Sequence, residues 1–399
     1  MRENLRLIPI HQALSRSLVW ISVMVLFERA RFDLDGALLL SSIYYLSVVA
    51  LEVPSGWMSD RLGRVVTLRF AALAWIVSHV LFVFGGAHFW LIALAQFFLA
   101  GGFACLSGTD VTFHFDTLEA LGLDGEFQRR EAKVASYGFA ATAISALAGG
   151  ALGLIDLRLA FVASLLASIA QFAVTLRLTE PPVEHVADRF VRQLGACVRY
   201  LRGRYVGWIF FYGILMVTLE HVAFSLVQPW LTELLGRSAT DVGSTPLLAG
   251  VVFAVTALMG SVAARSSAPL AERFGTVPVL IALAAVSATI VTGMALWVSV
   301  AMLVPLVFRS AQGAAAPVLI SAAISPLIER RHRATLLSLD SLAGRLGWGL
   351  ILMFVSTGAG DAVQHTLRTF AWISWGMVAV LVATAWVPRR ATAPELVTG

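Results

Sequence analysis

Runs of about 18 or more apolar residues, the length needed to cross the hydrocarbon core of a bilayer, recur twelve times along this chain. They cover residues 8–28, 37–58, 67–86, 89–111, 134–154, 158–177, 206–228, 246–264, 277–297, 300–324, 335–357 and 369–387. Short polar or charged stretches separate them, which predicts twelve membrane-spanning helices. The first span keeps Arg16 and Glu28 and runs into ERARFDLD rather than a small-residue cleavage site. It therefore reads as a retained helix, not a signal peptide. Composition agrees. The chain is 58% hydrophobic and 13% charged, with a mean hydropathy of +0.82, against roughly 45–50% and about 25% for a soluble domain. A water-soluble enzyme so composed would expose large apolar patches, and disorder needs the opposite bias. Twelve spans use about 240 residues, at about 20 each, and leave too few for a separate globular domain.

Charge orients the spans. Net charge is +5, and the 29 basic residues are 28 Arg and Lys133. The N-terminus, the even-numbered loops and the C-terminus hold 21 of them; the odd-numbered loops hold five: Arg29, Arg31, Arg158, Arg237 and Arg368. Arg16, Arg309 and Arg345 lie well inside spans, while Arg69, Arg158 and Arg177, at span ends, are counted with the adjoining loops. The positive-inside rule then places both termini in the cytoplasm. Basic residues spread over short loops do not make a nucleic-acid surface. Cys105 and Cys197 form no disulfide or zinc pattern, and no HExxH or carboxylate–histidine set calls for a metal. No cofactor is expected. The longest connection, 178–205, divides the chain into a six-helix bundle over 1–177 and another over 206–399. Its Arg192, Arg199, Arg202 and Arg204 fit an amphipathic helix on an anionic leaflet or a charged linker that merely obeys topology.

An internal repeat links the halves. After the second span stands Gly56-Trp-Met-Ser-Asp60-Arg61-Leu-Gly63-Arg64; after the eighth stands Glu272-Arg273-Phe-Gly275. Gln96-Phe-Phe-Leu-Ala-Gly101-Gly102 in the fourth span is echoed by Arg309-Ser-Ala-Gln312-Gly313 in the tenth. The nine-residue turn resembles the GxxxDRxGR loop of the major facilitator superfamily, and Arg309 to Gly313 resembles that family's RxxQG signature. Ser107 to Leu118 is similar to a stretch found in bacterial efflux-type members, with Thr112 where those often have Ala. Two departures stand out: the fourth span lacks the Arg, and the fifth keeps Gly149-Gly150 without the preceding Gly-Pro of drug/proton antiporters. The resemblance implies two pseudo-symmetric six-helix bundles around a central cavity, exchanging access by rocking. It also implies that the first loop gates this exchange and meets the eleventh span near Asp340. Gly56 and Gly63 would allow close approach and a tight turn, and Asp60, Arg61 and Arg64 would form breakable ion pairs. The alternative is a charged turn serving topology alone.

Ionisable groups inside a bilayer are costly and are functional candidates by default. At a rise of about 1.5 Å per residue, Arg16 and Glu52 lie at similar depth and can pair, for structure or for coupling. Glu220, followed by His221, and Arg309 reach similar depths in the seventh and tenth spans, which in the fold resembled both face the cavity. They form either a proton-coupling pair, since a nearby cation favours a carboxylate and its withdrawal the acid, or a permanent ion pair. Asp110 is either a helix-end cap or a coupling group, because His114 and Asp116 do not share its face. Trp20, Tyr44, Phe224 and Gln312 are candidate cavity residues, although such aromatics also serve packing and interface belts. The expected function is proton-coupled export of a small, largely apolar compound across a bacterial cytoplasmic membrane by a monomer. Proton-coupled nutrient uptake and a non-transporting sensor or assembly partner stand as alternatives. No nucleophile elbow, metal signature or phosphate loop points to an enzyme.

Overall fold

The computed structural model describes residues 1–182, 199–238, 241–328, 330–358 and 362–385. Among them, eleven helices are long and apolar enough to cross a membrane. The chain packs as two compact units. One comprises Met1–Ala187 with Leu235–Ala254, the other Asp188–Leu234 with Val255–Gly399. The amphipathic reading of the 178–205 connection falls mostly on 183–198, outside the described residues.

In the first unit the second to sixth spans are Leu34–Leu62, Arg64–Phe84, Phe89–Leu106, Phe127–Gly153 and Leu157–Leu176. Local chemistry sets several of their ends. The Asp33 carboxylate accepts from Gly36 N–H at 2.8 Å and Asp156 accepts from Arg158 N–H at 2.8 Å, both N-caps. Gly63, at φ 101°, is the sole residue between the second and third spans. Gly108, at φ 74°, ends the fourth span's run and starts a new helix, Thr109–Glu119. A cluster of Phe27, Phe82 and Phe161, with centroids 4.6–5.9 Å apart, anchors the core.

The first span is where pattern and structure differ. It is not one helix but Asn4–Ser15, a 3₁₀ turn at Val19–Ser22 and a short helix Met24–Arg29. The fifth span explains how membrane-depth backbone tolerates the break. Thr142 Oγ1 donates to the carbonyl of Arg16 at 3.1 Å, and Ser22 Oγ donates to the carbonyl of Ala146 at 2.6 Å. A Cβ at Gly149 would overlap the Val19 carbonyl oxygen. The glycines of the fifth span thus let broken backbone lie directly against a helix that re-satisfies it. On another side of that helix, Gly150 lies against Pro246 and Gly250 at the start of the eighth span.

In the second unit the spans are Arg204–Leu234, Thr245–Phe274 (its later part), Thr276–Leu296, Arg330–Val355 and Val363–Thr384. Gly275, at φ 90°, joins the eighth and ninth just as Gly63 joins their counterparts. The tenth span is also interrupted: Val300–Met302 and Leu303–Leu306 precede Ala311–Ile324. Around Arg309 the backbone bonds tighten to i→i−3, at 2.9–3.1 Å. Pro305 has no N–H to continue a regular ladder. Trp230 is fully buried and donates to the Met294 carbonyl at 3.0 Å.

Candidate functional site

The turn after the second span is the most connected polar cluster of the first unit. Arg64 Nη1 binds Asp60 at 2.6 Å and Ser59 Oγ at 2.9 Å, and its Nε lies 3.5 Å from Asp116. Glu180, two residues past Leu178, accepts from the backbone N–H groups of Arg64 and Val65 at 2.6 and 2.7 Å. This carboxylate sits at the N-terminus of the third span, where a negative charge is stabilised. It also fills the space a Cβ at Gly63 would need, 2.9 Å away. Gly63 therefore serves a positive φ and a close approach together. Gly56 does not fulfil its expected role. A Cβ there would meet nothing within 4 Å, because Gly56 lies on an exposed face of the helix. Arg61 is exposed too. Asn4 closes the cluster from the other terminus, exchanging hydrogen bonds with the Thr179 backbone at 2.8 and 3.0 Å.

Deeper in the first unit, Arg16 and Glu52 each have a neighbour that depth alone did not name. Glu52 accepts from Ser107 Oγ at 3.2 Å, while Arg16 stands within electrostatic reach of Asp110. The Arg16 side chain packs on Gly138, 3.1 Å from where a Cβ would stand. Asp110 accepts from Val111 N–H at 2.8 Å in the first turn of its helix, an end-of-helix contact. His114 binds Glu131 at 2.5 Å and Asp116 faces Arg64. His79 binds Ser168 Oγ at 3.1 Å as a core histidine.

The second unit brings its predicted residues together. The Glu220 carboxyl lies against Gly313 so closely that a Cβ there would overlap it. Its charge acts on Arg309, His221 and Tyr212. Arg309 is 5% exposed, with its guanidinium carbon 5.6 Å from the centre of the Phe224 ring. His221 Nδ1 bonds the Val217 carbonyl at 2.7 Å, and Arg345 of the eleventh span also acts on this histidine. Gln312, the next polar position of the signature, is buried: it donates to Tyr212 Oη at 3.1 Å and accepts from Ser287 Oγ at 2.7 Å. Trp20 is likewise packed, 8% exposed, with its backbone N–H donating to Ser164 Oγ, and Tyr44 stacks edge-on against Tyr45 and Phe103. Gln312 and Trp20 thus serve helix packing here rather than an open lining. Asp340 is buried against Gly213 of the seventh span.

A family sequence model matches much of this chain. That model, the Major Facilitator Superfamily, matches residues 12–303. The chain belongs to this superfamily. Solved structures extend the likeness to its whole length. A variant of the nucleoside transporter NupG superposes with a TM-score of 0.79 at 12% identity, covering 95% of this chain and 99% of that one. A bacterial homolog of the human lysosomal transporter Spinster, in an inward-facing and occupied conformation, gives 0.73 at 16% identity, with 98% of each chain covered. A D-xylose–proton symporter gives 0.67 at 14%, covering 98% and 99%. No curated protein sequence matches the chain. As a member of the major facilitator superfamily, this multi-pass membrane protein is a secondary transporter of a small molecule and not an enzyme. Among the described residues no group of His, Cys, Asp or Glu could hold a metal ion. Glu180, Asn4 and Glu131 were missed from sequence. Only Glu180 left a signal, as the acidic residue directly after the sixth span.

Proposed function

We propose that this transporter is a monomeric, proton-coupled exporter of small, largely apolar compounds in a bacterial cytoplasmic membrane. Its termini face the cytoplasm and its working halves are residues 1–177 and 206–399, joined by 178–205. The observation that supports coupling is the placement of Glu220 against Gly313 with Arg309 beside it. Glu220 carries the proton and Arg309 tunes it, since a guanidinium at hand favours a carboxylate and its withdrawal favours the acid. Glu52, Arg16 and Asp110 are supporting charges of the first half. The loop Gly56 to Arg64 gates the exchange. Export, rather than uptake, rests on the efflux-type stretch from Ser107 to Leu118.

The test is flux of candidate compounds in proteoliposomes under pH gradients of either sign. Glu220→Gln abolishes gradient-driven movement while leaving substrate binding and exchange. Unaltered gradient-driven flux in that variant refutes the assignment. A second reading, proton-driven uptake, is favoured by the likeness to the D-xylose–proton symporter. Accumulation along an inward proton gradient, in place of extrusion, decides for it.

A further inference from the structure

Glu28 carries no role so far, yet it is the most enclosed carboxyl of the first unit. It sits in the short helix Met24–Arg29 and is 0% exposed. Its Oε1 accepts from Gln96 Nε2 of the fourth span at 2.6 Å, and Oε2 is buried with no hydrogen-bond partner. The Met24 sulfur lies 3.9 Å from the same amide nitrogen. The elements packed on Met24–Arg29 bear Asp35, Tyr44, Tyr45, Glu52, Asp60 and Arg61 (second span), Arg64, Arg69 and His79 (third, whose Phe82 meets Phe27) and Arg158 (sixth). Arg29, Arg31 and Asp33 adjoin Glu28 in sequence, and the fourth span has no charge. The features that bear directly on the Glu28 carboxyl are its enclosure and the Gln96 amide. Arg31 instead donates to the Phe27 carbonyl at 2.8 Å and lies 3.5 Å over the Phe27 ring. One amide hydrogen bond suffices for the carbonyl of a neutral acid. An anion with one bond and a second oxygen that no donor reaches, buried in the fold, would be left short of its hydration.

The pattern repeats across the halves. Each half sets a carboxyl from its first span against its fourth: Glu220 meets Gly313 beside Arg309 in one, and Glu28 meets Gln96 in the other. The partner differs in kind, a guanidinium in one half and a neutral amide in the other. We infer that Glu28 is a second proton-binding site, which holds its proton on Oε2 in the sealed arrangement and exchanges it when the first span's outer segment opens. The inference rests on the proton-coupled reading for its role in transport, although its protonation is measurable without it.

The experiment is infrared spectroscopy of the full-length protein in lipid, titrated with pH in H₂O and D₂O, on wild type, Glu28→Gln, Gln96→Leu and Glu220→Gln. A protonated-carboxyl C=O band at neutral pH is expected in wild type and in Glu220→Gln. It is lost in Glu28→Gln and moves to higher frequency in Gln96→Leu, where the carbonyl loses its donor. In wild type it disappears reversibly as pH rises. An identical band in Glu28→Gln, or no shift in Gln96→Leu, overturns the site. A band that persists at every pH overturns the exchange and leaves a static helix contact. In proteoliposomes, Glu28→Gln loses gradient-driven flux and keeps exchange; full gradient-driven flux also overturns the proposal. Should wild type show the titrating band but no gradient-driven flux, the coupling reading fails and the proton site stands.

Discussion

A single methyl group at residue 149 tests the account of the broken first span. In Gly149→Ala the new Cβ would overlap the Val19 carbonyl oxygen and lie 2.9 Å from its carbon, where ordinary contact begins at 3.4 Å. Neither atom is the end of a flexible side chain. Both belong to a backbone segment tied by Ser22 to the Ala146 carbonyl at 2.6 Å and by the Trp20 N–H to Ser164 at 3.2 Å. The segment cannot retreat without loosening those two bonds, each worth about 1 kcal/mol. Overpacking of this kind costs about 1–3 kcal/mol, against a gain of about 1 kcal/mol for replacing a helical glycine by alanine. A net destabilisation of up to about 2 kcal/mol follows from the two figures. The control is Gly376→Ala in the twelfth span, where a Cβ meets nothing within 4 Å and only the propensity gain operates. Both proteins would be heated in detergent and the monodisperse fraction followed by size-exclusion chromatography. Gly149→Ala should melt below wild type and Gly376→Ala at or above it. Equal midpoints for the two variants would show that the first and fifth spans are not in backbone contact.

Three further outcomes follow from the first-loop cluster and the orientation. Glu180→Ala removes two charge-assisted hydrogen bonds, each worth about 1.5–3 kcal/mol, from the start of the third span; it should lower the melting midpoint more than Glu3→Ala, whose side chain is 59% exposed. A Glu180→Ala protein as stable as wild type would remove the capping role. Both Arg64→Ala and Asp60→Asn should impair flux without blocking membrane insertion. The effect of Arg64→Ala should be larger, because Asp60 is 66% exposed whereas Arg64 also faces the 7%-exposed Asp116; normal flux in both would end the gating assignment. Ser238→Cys in a cysteine-free background should label from outside the cell, and labelling from the cytoplasmic side alone would invert the topology.

The chain's own order of residues determined that it crosses a membrane, roughly where, and which turns repeat. Those are local properties: about 20 apolar residues make a span wherever they occur, and an acidic-Arg-x-Gly turn needs a residue that tolerates positive φ, met by Gly63 and Gly275 at 101° and 90°. The Glu220–Arg309 neighbourhood was also readable, because both lie on interior faces of helices that pack together. Tertiary structure alone decided the rest. Apolar length does not say whether a helix is continuous, so the breaks near Arg16 and Arg309 were not legible in it. Depth does not say in which direction a side chain points. A turn of about 100° per residue sent Arg16 toward Gly138 and Asp110, Glu52 toward Ser107, and Gly56 to open space. Glu180 caps a helix begun 116 residues earlier, and Glu28 finds Gln96 68 residues away. Such partners are set by how helices rotate and tilt against one another, and that packing is a property of the whole bundle rather than of any one segment.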